Sequence, residues 1–213
     1  MKYKLIKEPN SKYFRIKALK DIPRYNVKKG DLGGLVETEG NLDQTGDSWI
    51  DKESKVLNNA YLWGNAYVCN GGVMRDNSGM GGAAKLDGGY MQNYSRAKGY
   101  AIILGTMHDS SMAFGTSYLG EYVRLEGLST LSDNAFIKKR SDVVTFSNVG
   151  SEGSTLTVYQ TKGEPWVNRG CFTGTVEEFL ACSYEKHDDT INLEYVMLIE
   201  VALSILMRSK ANT

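Results

Sequence analysis

The sequence predicts a mainly β fold: a parallel β-helix of hexapeptide coils, preceded by N-terminal strands and closed by a β-hairpin plus two-helix module. Three observations point there. An apolar column recurs at every sixth position: Ile50, Val56, Leu62, Val68, Met74, Met80, Leu86. Two places ahead of each stands Ser48, Ser54, Ala60, Ala66, Gly72, Ser78 or Ala84. Ala, Ser and Gly make up 52 of 213 residues, so a small residue in all seven places is not chance. No proline lies between Pro23 and Pro165, so every rung keeps its backbone donor.

Residues 1–40 read as a β cap of short strands ending in "KKGDLGG". That cluster lacks the GK[ST] of a phosphate loop and reads as the turn that starts the first coil. Residues 1–29 hold ten Lys/Arg against Glu8 and Asp21, a net +8 in a chain of net charge zero. One reading is a nucleic-acid-binding arm. The other is lysines on the solvent face of edge strands, or paired with the chain's own acids.

Residues 41–145 carry the repeat. A hexad period with one large apolar and one small residue is the pattern of a solenoid built from hexapeptides. Three hexads make one triangular coil, with the apolar residue inside and the small one at a tight corner. Asp47, Asn59, Asn65, Asn77 and Asn134 precede small residues, as a left-handed corner would favour. A second run reads Ala101, Met107, Ala113, Leu119, Leu125, Leu131, Ile137. It is out of phase with the first by half a hexad, and "DGGYMQNYSRAKG" is expected to absorb the slip. The span from 48 to about 143 gives roughly five coils of this period.

Residues 146–213 change character. "DVVTF", just before them, then "STLTVYQT" and "PWVNR" alternate as strands, with "KGE" as a hairpin turn. Thr175-x-x-Glu178 is a capping box that starts a helix near Val176. A second helix, from about Ile191 to Met207, is apolar on more than one face, so it is expected to pack in its own domain or against a second subunit. Its apolar run, "YVMLIEVALSILM", contains Glu200 and is too short and too polar to span a bilayer. The start, "MKYKLIKEPN", has no apolar core of a signal peptide. Cys69, Cys171 and Cys182 form no CxxC pair and read as free thiols of a reducing cytoplasm.

The hexads resemble the left-handed β-helix of hexapeptide-repeat proteins, whose best-known members are acyltransferases. More closely, "VKKGDLGGLVETEGNLDQTGDSWI" leading into "NNAYLWGNAYV" is similar to hexapeptide-repeat proteins of phages and prophages. "GSEGSTLTVYQTKGEPWVNRGCFTGTVEEFLA" looks like a small module that often closes such proteins. The resemblance implies left-handed winding, a host bacterial cytoplasm and engagement of a host macromolecule, for example as an inhibitor of host defence.

Chemistry is sparse. An acyltransferase on this scaffold uses a histidine base, and the two histidines are His108 and His187. His108 follows an inward Met107 and so faces outward, with Glu126 as its stacked neighbour. His187 stands in "EKHDD" at a helix end, a weak metal-ligand set. No catalytic residue, metal ligand or cofactor is assigned. The outward aromatics are more informative. Tyr100, Tyr118 and Phe136 recur at the full three-hexad spacing, as do Trp49 and Tyr67, while Tyr61 and Trp63 flank Leu62. These seven read as an interface, and the Tyr100 row is expected to lie buried under the C-terminal helix or a neighbouring subunit. The expected function is a non-enzymatic scaffold or binding protein, homo-oligomeric, with a host protein as partner. Acyl transfer and nucleic-acid binding through residues 1–29 are the alternatives; no membrane partner is expected.

Overall fold

The computed structural model describes residues 1–211. Its centre is a three-sided parallel β-solenoid. The first face stacks six strands that begin at Trp49, Tyr67, Lys85, Ile102, Tyr118 and Phe136. The second face stacks strands that begin at Lys55, Val73, Tyr90, Thr106 and Arg124, and the third those that begin at Tyr61, Gly79, Arg96, Met112 and Thr130. These strands are very short because each hexad spends the rest of its length on a corner.

The inward column is fully buried. Ile50, Val56, Leu62, Val68, Met74, Met80, Leu86, Met107, Ala113, Leu119, Leu131 and Ile137 are 0% exposed, and Leu125 is 1%. Each large side chain contributes about 1.5–3 kcal/mol by leaving water. In the perpendicular direction each outward N–H donates to the next coil, as Tyr67 does to the Ala84 carbonyl at 3.0 Å.

The register between the two runs differs from the expected one. Tyr67 pairs with Lys85, one full three-hexad coil later, but the next two pairs, Lys85 with Ile102 and Ile102 with Tyr118, span shorter coils. Two corners are short, one at Gly88-Gly89 and one at Leu104-Gly105, so the slip is divided between them and the second lies outside "DGGYMQNYSRAKG". The inward residue of the intervening coil is therefore Ile103, and Ala101 is buried as the small corner residue two places before it. At Gly105 an added Cβ would strike the carbonyls of Val123 and Gly120, which is why that short corner tolerates no side chain. The corner residue with positive φ is also displaced by one in four of the five expected places. It is Gly46, Asn58, Gly64 and Asp76, not Asp47, Asn59, Asn65 and Asn77; Asn134, at φ 65°, is as expected.

The N-terminal cap is an antiparallel trio, β1 (Tyr3–Lys7), β2 (Phe14–Ala18) and β3 (Leu32–Val36), and β3 continues in parallel onto Lys55–Val56. With β3, and with Leu42 bridged in parallel to Leu62, the solenoid has about six turns, not five. Gly33 and Gly34 lie inside β3, not in a turn. A Cβ on Gly33 would come within 2.6 Å of the Ile50 carbonyl and the Trp49 ring, so the glycines let this strand lie directly on the first coil. Four of the ten basic residues of the arm are ion-paired within the chain. Lys12 pairs with Glu37, Arg15 with Glu8, Arg24 with Asp47 and Lys28 with Asp21. Lys2 is buried, its ammonium donating to the Ser48 carbonyl at 2.8 Å and to the Thr45 carbonyl at 3.2 Å.

At the other end an antiparallel sheet runs Val143–Val149, Ser154–Tyr159, Trp166–Arg169, Phe172–Thr175. The fourth strand was not expected, because Gly174 and the capping box mask its short extended run. Thr175 Oγ1 accepts from the Glu178 N–H at 3.1 Å, and the Glu178 carboxylate accepts from the Thr175 N–H at 2.8 Å, starting the helix Val176–Lys186. The last helix, Asp189–Ala211, is longer than expected at both ends. It buries Tyr195, Ile199, Ala202 and Leu206 against Leu156, Val158, Val167 and Phe179. Leu193, Met197 and Val201, 50–60% exposed, form an uncovered stripe on its other side. The expectation that this segment is too short and too polar to span a bilayer is corrected here: Asp189–Arg208 has a mean hydropathy of 1.6, enough by length and composition alone to cross a membrane. The packed Tyr195 face shows one source of that apolarity.

Candidate interaction surfaces

The first face divides in two. Its N-terminal half is covered: Trp49 is 3% exposed beneath β3, and Tyr67 stacks on Tyr25 of the cap, ring centroids 4.3 Å apart and nearly parallel. Tyr25 also donates its hydroxyl to the Asn65 carbonyl. Burial pushes the Tyr67 phenol up to about 12. Between the halves Lys85 pairs with Asp87 at 2.6 Å, and burial pushes the neighbouring Cys69 thiol up to about 12.

The C-terminal half is not covered. In the true register its row is Ile102, Tyr118, Phe136, so Tyr100 does not stack on Tyr118 but stands 70% exposed at a corner. Tyr118 and Phe136 contact each other, centroids 5.2 Å apart, and both are half-buried. Ile102 is 39% exposed, and the half-buried Leu104 widens the strip. Lys138 and Lys162 place their ammonium groups 5.0 and 5.5 Å from the Phe136 ring centre. The last helix does not lie over this row; it packs on the C-terminal sheet. The expectation that the helix buries it therefore fails. Ile102 and Lys162 were missed in the sequence. The first was hidden by the register slip, and the hairpin carrying the second reaches the row only in three dimensions.

Tyr61 and Trp63 lie on the third face and stack at 5.5 Å. Trp63 lies flat over Gly79 and Gly81, and a Cβ on Gly81 would overlap the indole. Lys98 closes over it at 5.8 Å. Trp63 is thus half-buried on the solenoid's own surface, while Tyr61 remains 40% exposed.

His108 is half-buried on the second face and bonded to Gln92, which also accepts from Arg75. Burial, and then nearby Arg124, hold its pKa below the ordinary imidazole value. His187 caps the first helix, its N–H donating to the Ser183 carbonyl at 3.0 Å, with its ring beside Tyr195. It shares a pocket of about 340 Å³ with Cys171, Cys182 and Lys186. Among the described residues no three His, Cys, Asp or Glu side chains are placed to hold a metal ion. A larger groove of about 690 Å³ opens at the C-terminal end of the second face, between Arg124–Gly127 and the strand Val143–Val149.

No family model matches the chain, and a search of curated proteins finds no significant match.

Proposed function

We propose that this chain is a non-enzymatic binding scaffold whose solenoid presents the Ile102–Tyr118–Phe136 strip to a host macromolecule, in a phage or prophage setting that the hexad and tail motifs suggest. The observation that carries this reading is the contrast along one face. Trp49 is 3% exposed under the cap, and Tyr67, half-buried, stacks on Tyr25 of the cap. The half-buried Tyr118 and Phe136 instead have each other and two lysines beside them, with Ile102 39% exposed. Aromatic side chains in a half-exposed strip are the usual anchors of a protein interface. Lys138 and Lys162 beside them favour a partner with an acidic rim. Self-association is assigned to the Leu193–Met197–Val201 stripe of the last helix, whose spacing suits a helix-to-helix contact between two copies. Inhibition of a host defence protein is one outcome such a surface would serve.

The test compares wild type with Tyr118→Asp and Phe136→Asp in affinity capture from a bacterial lysate, read by mass spectrometry, with circular dichroism confirming the fold. A partner retained by wild type and lost by both variants supports the reading; identical capture profiles overturn it. Light scattering on Met197→Asp tests self-association, with a fall in mass expected. Turnover of acyl-coenzyme A donors that disappears in His108→Ala would replace the binding role by acyl transfer.

A further inference from the structure

The three faces of the solenoid end differently at the C-terminal side. On the first face the Phe136 N–H donates to the Gln160 carbonyl at 2.8 Å, and Ala135 bridges Thr161. On the third, the Thr130 N–H reaches Thr157 Oγ1 at 3.3 Å and Ser132 bonds the Tyr159 hydroxyl at 2.7 Å. The C-terminal sheet thus caps both edges. The second face ends on Arg124–Leu125, with no strand beyond it among the described residues.

In the preceding coil the N–H groups of Thr106, His108 and Ser110 donate to the carbonyls of Val123, Leu125 and Gly127, at 2.9, 2.9 and 3.0 Å. The corresponding donors of the last coil are Arg124, Glu126 and Leu128. None of the three has an acceptor among the described residues. Arg124 and Glu126 line one side of the 690 Å³ groove, and Leu128 lies outside it. The opposite wall is Val143, Thr145 and Ser147, alternate residues of one strand, with Thr145 Oγ1 bonded across to Ser129 Oγ at 3.1 Å. Half-buried Val143 makes its apolar part, since the Leu125 side chain is only 1% exposed. Arg124 is ion-paired with Glu126 at 2.7 Å, whereas exposed Arg140 has no partner among the described residues, so the groove carries an unbalanced positive charge.

We propose that this groove receives an extended acidic peptide segment of a partner protein, which adds in parallel to Arg124–Leu125 as the next rung. Its alternate carbonyls accept from the free N–H groups of Arg124 and Glu126, as Val123 and Leu125 do one coil earlier. Its apolar side chain meets the half-buried Val143, and its acidic side chains face Arg140 and Arg124. The site is separate from the Phe136 strip and does not depend on it.

The probe is the labelled peptide acetyl-Glu-Val-Asp-Val-Glu-Val-amide, titrated by fluorescence polarisation into the full chain, with acetyl-Lys-Val-Lys-Val-Lys-Val-amide as the charge control. Saturable binding of the acidic peptide is expected, at least tenfold weaker for Arg140→Glu and for the basic control. Hydrogen exchange should slow at Arg124 and Glu126 when the peptide is added. Arg140 is on the surface, so its replacement leaves the fold intact, and circular dichroism verifies this. No saturable binding up to millimolar peptide overturns the proposal, as does binding that ignores Arg140 or protects amides elsewhere. Concentration-dependent protection of these amides without peptide would also overturn it, assigning the edge to a second copy.

Discussion

Tyr67 and Tyr118 occupy equivalent positions on one face of one solenoid, three coils apart; both are half-buried against another ring, but the ring on Tyr67 comes from the cap and the ring on Tyr118 from the next coil. Tyr67 lies against Tyr25 and next to a strip closed by β3 and Trp49, while Tyr118 touches Phe136 and solvent. A repeat dictates which direction a side chain points but not what stands in front of it. An outward aromatic therefore has two physical fates, anchor for the chain's own cap or anchor for something else. Only the second kind is open to a partner.

The largest expected effect sets these fates against each other. Trp49→Ala should cost about 3–5 kcal/mol, because a buried indole leaves a cavity under the cap. Phe136→Ala should cost less, about 1–2 kcal/mol in urea unfolding, because the ring is only half-buried and loses chiefly its contact with Tyr118. Equal losses would break the comparison. Leu62→Ala and Leu125→Ala belong to the common core below both halves and should each cost about 2–5 kcal/mol. A much smaller loss at Leu125 would mean that the open end of the solenoid is frayed.

A smaller effect concerns how the cap is held. Burial pulls the Lys2 ammonium down to about 8 from its usual 10.5. Between those two values the unfolded chain binds more protons than the folded one, so this group's contribution to stability rises with pH across that window. The urea midpoint of wild type relative to Lys2→Met should therefore increase from about pH 7.5 to about pH 10. A difference that stays flat would place the ammonium in water. The smallest effect touches reactivity alone. Cys69 is 3% exposed with its thiol held at about 12, whereas Cys171 is exposed. Iodoacetamide at about pH 8 should label Cys171 and spare Cys69 until the chain is unfolded.

Much of the fold was legible. The column from Ile50 to Leu86 and the one from Met107 to Ile137 point inward as their period requires, and Thr175-x-x-Glu178 starts its helix with both reciprocal bonds. The misread aromatic row has one cause. A hexad period is read by counting, and two shortened corners displace everything counted across them. Tyr100 was placed in the aromatic row for that reason, and Ile102, the residue that stands there, was overlooked. Gly33 and Gly34 were read as a turn because glycine clusters usually are. Their reason is contact with Trp49 and Ile50 of the first coil, which no local pattern announces.

The sequence by itself determined that this chain winds into three-sided coils, because a large apolar residue, a small residue and a left-handed corner at fixed spacing are local requirements met within each hexad. It also determined the capping box and most of the strand pattern of the C-terminal sheet, which depend on near neighbours in the chain. Tertiary structure alone decided which outward side chains are covered and which backbone edge stays open. Tyr67 owes its cover to Tyr25, far earlier in the chain, and the Phe136 N–H owes its acceptor to Gln160, beyond the solenoid altogether. The free N–H groups of Arg124 and Glu126 reflect the path of a sheet that closes two edges of the prism and passes beside the third. Cover and closure are set by where distant segments come to rest, and that is fixed by packing of the whole chain, not by any one repeat.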